Sequence, residues 1–413
     1  MSVRLGFFAP PRPSLQPVGA LPVYWLRATE PLAHFIAVWE APALPNFPAG
    51  TRALLLRLLA AENARYPAGG LAQRLKRLGW TFEWHSSLDS IWLSASGLVE
   101  NLPAALELLH LMVEAPLLRG PDVVKHRSRL IESHIRAWAN PAYRADSYVA
   151  QGLWGDTYAV MEGASPEALQ KVGEAELWAY HEGFLWRGLR AVVLVAPTLP
   201  KSLTPWQIWV RPLRYALRLP LEKEPTIQVE ETPEAQQASL RWAYPWRRAL
   251  SPSDVWYALG VLRLGGYFGS QLMRTIREEA GLTYGIYARA EETQAGSYLV
   301  IRTEVARSRA AEAVARIQEE VQRWATQPFP TMEIWEEARN YLLVQRTPET
   351  LREWASWIAG ALMRHRPIEL YYAQMETLAQ ATWPHIPSLL LPDEPFLQVG
   401  VGVEKGIFAG ACV

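Results

Sequence analysis

The alternation of hydrophobic and polar positions predicts the same order of strands and helices twice along the 413-residue chain. The first half predicts strands at 22–28 and 34–39, helices from 51 and at 71–78, strands at 81–84 and 91–96, helices at 102–112 and 122–138, and a strand at 191–196. The second half predicts a strand at 238–244, helices at 252–264 and 270–280, strands at 283–290 and 297–303, helices at 310–325, 332–344, 349–364 and 369–379, and a strand at 397–403. Two halves with one order of elements predict an α+β fold of two homologous domains, each a mainly antiparallel sheet flanked by helices.

A proline-rich stretch over residues 197–232 separates the two halves. It contains short strand-like pieces at 206–210 and 215–219, bounded by turn-forming residues. We therefore predict a first domain over residues 1–205, a linker over 206–232 and a second domain over 233–413.

Composition narrows the class of protein. Lys plus Arg and Asp plus Glu are equal at 41 each, so nothing predicts nucleic acid or an acidic membrane surface as a partner. No apolar run is long enough for a membrane span or a signal-peptide core, so we expect a cytoplasmic protein. Six lysines against 35 arginines, with 32 prolines, fit a GC-rich, thermophilic source.

The stretch from Gly265 to Tyr287 carries the strongest chemical signal. Its helix is expected to end near residue 280, because Gly281 stands where a left-handed cap belongs and a β-branched, aromatic strand follows. Arg277 then lies in the last helical turn and Tyr284 at the start of the strand. A guanidinium and a phenol side by side can donate hydrogen bonds to one carbonyl oxygen and stabilise an oxyanion. Alternatively, Arg277 binds helix-end carbonyls and Tyr284 is a half-buried strand residue.

Gly265 and Gly266 open this stretch. The pair lacks the following Lys-Ser/Thr of a phosphate-binding loop. Close approach of a backbone, including that of a bound peptide, is one interpretation. A plain turn between two helices is the other.

Residues 265–287 closely resemble the second-half signature of the family of pitrilysin, insulin-degrading enzyme and mitochondrial processing peptidase: a Gly-Gly loop, a Ser-x-Leu helix and Arg-Glu-x-x-Gly-Leu-x-Tyr. The resemblance covers nearly the whole chain. Further similar segments are Tyr66 to Gly79, Ser87 to Ser90, Ser165 to Ala168, Glu176 to Phe184 and the strand Ala191 to Ala196. The resemblance implies a chain that forms half of a clamshell.

Active members of this family carry His-x-x-Glu-His on a helix before the Tyr-Pro segment. By that resemblance the motif positions here are Ala53, Leu56 and Arg57, which supply no metal-binding lone pair. The third ligand would fall near Glu132 or His134, and one such residue cannot rebuild a zinc site. Glu83-Trp84 stands where the family has Asn-Ala in its substrate-pairing strand, so the cleft is expected to be remodelled as well as unable to bind zinc.

No other catalytic centre is evident in the sequence. The eight histidines include no pair at i, i+4, and His126 and His134, two turns apart, fit solvated or capping roles better than metal binding. The single cysteine, Cys412, is penultimate and has no charged neighbour to activate it.

The resemblance therefore implies the non-zinc subunit of a heterodimeric zinc peptidase. Arg277 and Tyr284 would hold the scissile carbonyl or its oxyanion, Gly265 and Gly266 would contact substrate, and a homologous partner with His-x-x-Glu-His would bind the zinc. This chain is expected to bind no cofactor of its own and to act on peptides or unfolded polypeptide. Two alternatives stay open, a structural scaffold and a peptide-binding homologue without activity.

Overall fold

The computed structural model describes residues 9–41, 47–87, 89–159, 165–210, 226–246, 250–292, 297–327, 329–383 and 397–408. Cys412 and residues 211–225 of the predicted linker, with the strand-like piece at 215–219, lie outside the described residues.

The first half folds around a six-stranded sheet. Its strands are β1 (Ser14–Val18), β2 (Leu21–Arg27), β3 (Leu32–Glu40), β4 (Trp80–Ser86), β5 (Ser90–Leu98) and β6 (Leu189–Ala196). They lie in the order β1-β2-β6-β3-β5-β4, and every neighbouring pair is antiparallel except β2 with β6. The strand β4 forms one edge of this sheet.

The second half contains a five-stranded sheet. Its strands are β7 (Thr226–Glu230), β8 (Gln237–Pro245), β9 (Thr283–Glu292), β10 (Ser297–Ala306) and β11 (Leu397–Val401). They lie in the order β7-β11-β8-β10-β9, and only β7 with β11 is parallel. This arrangement repeats β2-β6-β3-β5-β4 strand for strand, which confirms the predicted α+β fold with two related sheets, and β9 is the counterpart of β4.

Helices flank both sheets. They are α1 (Thr51–Ala61), α2 (Gly70–Arg77), α3 (Leu102–Glu114), α4 (Gly120–Trp138), α5 (Pro141–Ala159), α6 (Pro166–Gln170), α7 (Glu174–Tyr180), α8 (Val255–Val261), α9 (Ala310–Thr326), α10 (Met332–Arg346), α11 (Leu351–Met363) and α12 (Glu369–Gln380). Wider π-helical turns occupy His181–Leu185, Leu262–Gly266 and Met273–Glu279. Within the described part of the chain, we find no helix that combines the length and the apolar character needed to cross a bilayer.

Each sheet is covered on one face by a helix from the other half. Val149 and Leu153 of α5 pack in one cluster with Val300 of β10 in the second sheet. Ile358 of α11 packs in another cluster with Val38 and Val193 of the first sheet. Because each half supplies apolar surface that the other buries, the two halves stabilise each other.

One local prediction is wrong. Residues 206–210 were expected to be strand-like, but Lys201–Trp209 forms a 3-10 helix. The reason is tertiary packing: Trp206 is completely buried, and its ring lies 4.8 Å from that of Phe35. The opposite end of the predicted linker forms the edge strand β7 of the second sheet, so both described ends of the linker pack with a sheet.

Candidate functional site

The second-half corner, which we define as residues 273–285, joins a helical segment to β9. Leu272, Met273 and Ile276 are buried, as the amphipathic pattern predicts. Gly281 has φ +59°, and the N–H of Leu282 donates to the carbonyl of Ile276 at 3.0 Å. These two features confirm the predicted left-handed cap, which reverses the chain into β9 within two residues.

A β-bulge sets the direction of Tyr284. Ile286 pairs with Thr303 and Thr283 with Val305, so Tyr284 and Gly285 together oppose the single residue Glu304. The Thr283 hydroxyl donates to the Glu304 carbonyl at 2.7 Å and stabilises the bulge. Bulges redirect side chains next to them, and Tyr284 is 93% exposed.

Arg277 is stacked on an aromatic ring. Its guanidinium carbon lies 4.6 Å from the centre of the Phe268 ring, in a cation–π contact. The Nη1 atom of Arg277 is buried, and among the described residues it has no hydrogen-bond partner. Within the same set of residues, neither a hydrogen bond nor a cation–π contact joins Arg277 to Tyr284. The two side chains share one corner, and within the described part of the chain neither Arg277 Nη1 nor the Tyr284 hydroxyl has a hydrogen-bond partner.

Phe268 is a site residue that the sequence reasoning missed. Phe268 is 63% exposed although its side chain is large and apolar. A usable signal was present, because Tyr267 and Phe268 follow directly after the glycine pair, where a plain turn would carry polar residues.

The glycine pair serves the packing of the protein itself. A Cβ on Gly265 would lie 2.6 Å from the backbone nitrogen of Ala288 in β9, and one on Gly266 would lie 3.0 Å from Cδ1 of Leu262. Gly265 thus lets the π-helical turn press against β9. The predicted close approach exists, but its partner in this structure is β9.

The degenerate zinc positions line a cleft in the first half. Ala53, Leu56 and Arg57 of α1 face Phe82, Glu83, Trp84 and Ser86 of β4 across a space of about 460 Å³. The ring of Trp84 lies 5.5 Å from that of Trp39, and its Nε1 lies 3.3 Å from Sδ of Met112. The substituted metal positions and the remodelled strand therefore meet in one place.

The residues of this cleft do not fit zinc. Two aliphatic side chains and a guanidinium have no lone pair to donate, and Glu83 is the one carboxylate in the lining. His134, on the helix of the expected third ligand, stacks on Trp138 at 5.4 Å, and burial lowers its pKa. Across the described ranges, no three His, Cys, Asp or Glu side chains are grouped so that they could hold a metal ion.

The first half contains a corner of the same design. There α2 ends, Gly79 takes φ +71°, and β4 begins at Trp80. Counted from the glycine, the counterpart of Arg277 is Leu75, which is 1% exposed, and that of Tyr284 is Phe82, which is half-buried. A corner of this kind therefore forms without an arginine or a tyrosine.

Comparisons with known proteins show that the fold of this chain is similar to that of M16 peptidases. The family model "Peptidase M16 inactive domain" matches residues 199–342, about one third of the chain. A peptidase M16 inactive domain from Pseudomonas fluorescens shares 20% identity over 93% of this chain and 96% of its own, with a TM-score of 0.83. A protease from Helicobacter pylori shares 12% identity over 94% and 99%, with a TM-score of 0.75.

A third solved structure is longer than this chain. The periplasmic protease PqqL from Escherichia coli shares 14% identity over 92% of this chain but 44% of its own length, with a TM-score of 0.75. A search of curated proteins found no match. The family match supports the resemblance at the level of the pitrilysin family, and the description "inactive" agrees with the missing zinc ligands.

Proposed function

We propose that the chain is the non-zinc subunit of a heterodimeric zinc peptidase. In this account a homologous partner binds the zinc ion that activates water, and Arg277 and Tyr284 of this chain hold the scissile carbonyl of a peptide. Their N–H and O–H groups would donate to the oxygen as it becomes negative, which stabilises the transition state more than the substrate.

The unused donors of Arg277 and Tyr284 carry this proposal. A buried guanidinium nitrogen without a partner is costly, and a phenol exposed to 93% contributes little to packing. The first-half corner contains Leu75 and Phe82 at the equivalent positions, so the turn itself requires neither polar group. A ligand that accepts hydrogen bonds from both side chains would account for their presence.

The need for a partner follows from the first half. The cleft beside Ala53 and Leu56 offers a single carboxylate, Glu83, which is too few ligands to hold a catalytic zinc ion, so hydrolysis would require an activated water from elsewhere. The E. coli protease has a second portion beyond the 44% that this chain matches. In our account a separate zinc-bearing subunit corresponds to that second portion.

The decisive experiment is a comparison of peptide hydrolysis in the presence of zinc. This chain alone, a homologous chain with an intact His-x-x-Glu-His motif alone, and an equimolar mixture of the two are assayed on a quenched fluorescent peptide. We expect turnover in the mixture well above the sum of the separate chains, with zinc bound to the partner. Absence of any gain on mixing would reject the shared active site.

A peptide-binding protein without activity is the second candidate. The observation that favours it is the first-half cleft, where Phe82 and Trp84 line a partly apolar space beside the edge strand β4. This function predicts that the chain alone binds peptides, and that mixing with a zinc-bearing homologue produces no cleavage. A scaffold would show neither binding nor cleavage.

A further inference from the structure

A groove of the first half lies between α2, α3 and the loop that follows α1. It has a volume of about 470 Å³, which is within the roughly 300–1,000 Å³ of typical ligand sites. It shares no lining residue with the cleft beside Ala53, and it does not include the second-half corner. The groove is therefore a third place to consider for binding.

The floor of the groove is apolar. It contains Leu108 and Leu111 of α3 and Leu78 at the end of α2, and all three are half-buried. These leucines pack against the core of the first half, and part of their surface stays uncovered. A ligand with an apolar side chain would bury this remaining surface, which favours binding.

Hydrogen bonds hold the loop beside α3 in place. The side chain of Asn63 is 1% exposed, and its Nδ2 donates to the carbonyls of Leu111 and Ala115, both at 2.9 Å. Its Oδ1 accepts from the backbone N–H of Tyr66 at 3.2 Å. These bonds fix Tyr66 relative to α3, so the shape of the groove is built into the fold.

The charged residues of the groove are divided between its walls by sign. Arg74 and Arg77 lie on α2, and Arg65 lies on the loop. The two carboxylates of the lining, Glu107 and Glu114, lie on α3. Residues three or seven positions apart share one face of a helix, so α2 presents positive charge to the groove and α3 presents negative charge.

The two walls are not joined by ion pairs. Among the described residues, no carboxylate lies within ion-pair distance of Arg65, Arg74 or Arg77, and no cationic side chain lies within that distance of Glu107. The guanidinium carbon of Arg74 lies 4.2 Å from the centre of the Tyr66 ring, and this contact orients Arg74 without using its N–H groups. Opposite charges therefore line one groove without pairing across it.

Glu114 is less available to a ligand than Glu107. Its Oε2 lies 3.4 Å from Nδ1 of His110. Burial lowers the pKa of His110, so its ring is neutral at pH 7 and can donate a hydrogen bond to Glu114. Glu107 is therefore the carboxylate of the groove that a cationic group would bind.

We propose that this groove binds a short zwitterionic peptide. Its C-terminal carboxylate lies on Arg74 and Arg77, and its N-terminal ammonium lies on Glu107. An apolar side chain of the peptide covers Leu108 and Leu111. The volume of the groove suits a dipeptide or tripeptide.

The chemistry of the groove favours this ligand over simpler ones. Hydrogen bonds between charged groups are stronger than neutral ones, and free peptide termini are a recurring target of recognition. An inorganic anion would leave Glu107 unpaired and the apolar floor uncovered. A cation would leave the arginines unpaired. The proposal does not depend on the proposed function, since it uses none of the residues assigned to hydrolysis.

Isothermal titration of this chain alone tests the groove without reference to peptidase activity. The probes are Leu-Leu with both termini free, acetyl-Leu-Leu, which lacks the ammonium, and Leu-Leu amide, which lacks the carboxylate. We expect free Leu-Leu to bind and each blocked form to bind at least about tenfold more weakly.

Two variants locate the two ends of the peptide. Glu107→Gln should weaken binding of free Leu-Leu about tenfold and leave binding of acetyl-Leu-Leu unchanged, because that peptide has no ammonium to lose. Arg77→Met should weaken binding of free Leu-Leu to a similar degree and leave binding of Leu-Leu amide unchanged. The matched controls on α9 are Glu319→Gln, at a residue whose side chain is 68% exposed, and Arg316→Met, at one that is 51% exposed. Both controls should retain the affinity of the wild type.

Three results would overturn the proposal. Equal binding of the free and the blocked peptides would mean that the charged walls do not recognise the termini. Unchanged binding of free Leu-Leu by Glu107→Gln and Arg77→Met would place the peptide elsewhere. No binding of free Leu-Leu would leave the arginines of α2 with the stabilising effect of positive charge at a helix C-terminus.

Discussion

The two helix-to-strand corners of this molecule share a left-handed glycine, but they differ in their side chains and in the β-bulge that only the second contains. Gly79 and Gly281 both adopt positive φ, and each is followed by the edge strand of a sheet. Four residues before the glycine, the first corner has the buried Leu75 and the second has Arg277. Three residues after it, the first has the half-buried Phe82 and the second has Tyr284, which is 93% exposed.

In our account, this difference separates the requirements of folding from those of the proposed chemistry. The first corner places its apolar side chains against the core, where they contribute to stability. The second directs a phenol to solvent, and among the described residues a buried guanidinium nitrogen of Arg277 has no hydrogen-bond partner, which stability alone does not explain. The aromatic rings differ in the same way, since Trp39 and Trp206 of the first half are fully buried, whereas Phe268 and Tyr284 of the second half are exposed.

The largest expected effect concerns the buried aromatic cluster of the first half. Trp206→Ala should lower the free energy of unfolding by about 3–5 kcal/mol, because it removes a completely buried ring that contacts Phe35 and Trp39. Phe268→Ala at the second corner should lower it by at most about 1 kcal/mol. Chemical denaturation of both variants measures the two losses of unfolding free energy. Equal losses would contradict the account that Trp206 stabilises the fold and Phe268 does not.

A smaller effect is expected at the glycine of the second corner. Gly281→Ala should reduce stability by about 1–2 kcal/mol, because an L-residue is strained at φ +59° although the space around the Cβ position is open. Gly183→Ala is the control, since Gly183 also has open space but no positive φ. Thermal melts of the two variants should differ clearly, and matching melts would show that the left-handed cap is not needed.

Local patterns were sufficient to predict much of this fold. The twofold order of elements, the cap at Gly281 and the strand at 283–290 follow from periodicity and turn chemistry, and the structure contains them. The local patterns did not predict the features that depend on long-range packing. Trp206 lies in a helix because its ring fills the first core, and α5 packs on the second sheet across the halves.

The candidate site was predictable only in part. The resemblance located Arg277, Tyr284 and the degenerate zinc positions, and the structure places the latter in one cleft with Glu83 and Trp84. The stacking of Arg277 on Phe268 could not be predicted from the sequence, because it depends on how the segment after Gly265 and Gly266 packs against the helical segment that contains Arg277. The domain limits, the cytoplasmic location and the thermophilic source stay predictions.

The smallest expected change is in the stability of a Tyr284 variant. Tyr284→Ala should alter the free energy of unfolding by no more than about 0.5 kcal/mol, since the exposed ring buries almost nothing. Its first-half counterpart Phe82→Ala should lose clearly more. A large loss for Tyr284→Ala would mean that the tyrosine has a structural role that its exposure does not reveal.

The most direct test of the shared active site is turnover by the reconstituted pair with Arg277→Ala in this chain. Arg274→Ala is the matched control, because Arg274 lies on the same helical segment, is 51% exposed and points to Glu279. We predict that Arg277→Ala lowers kcat by about 10²–10³-fold with assembly and zinc content unchanged, whereas Arg274→Ala leaves kcat close to that of the wild type. Equal turnover by the two variants would contradict the role of Arg277 in holding the scissile carbonyl.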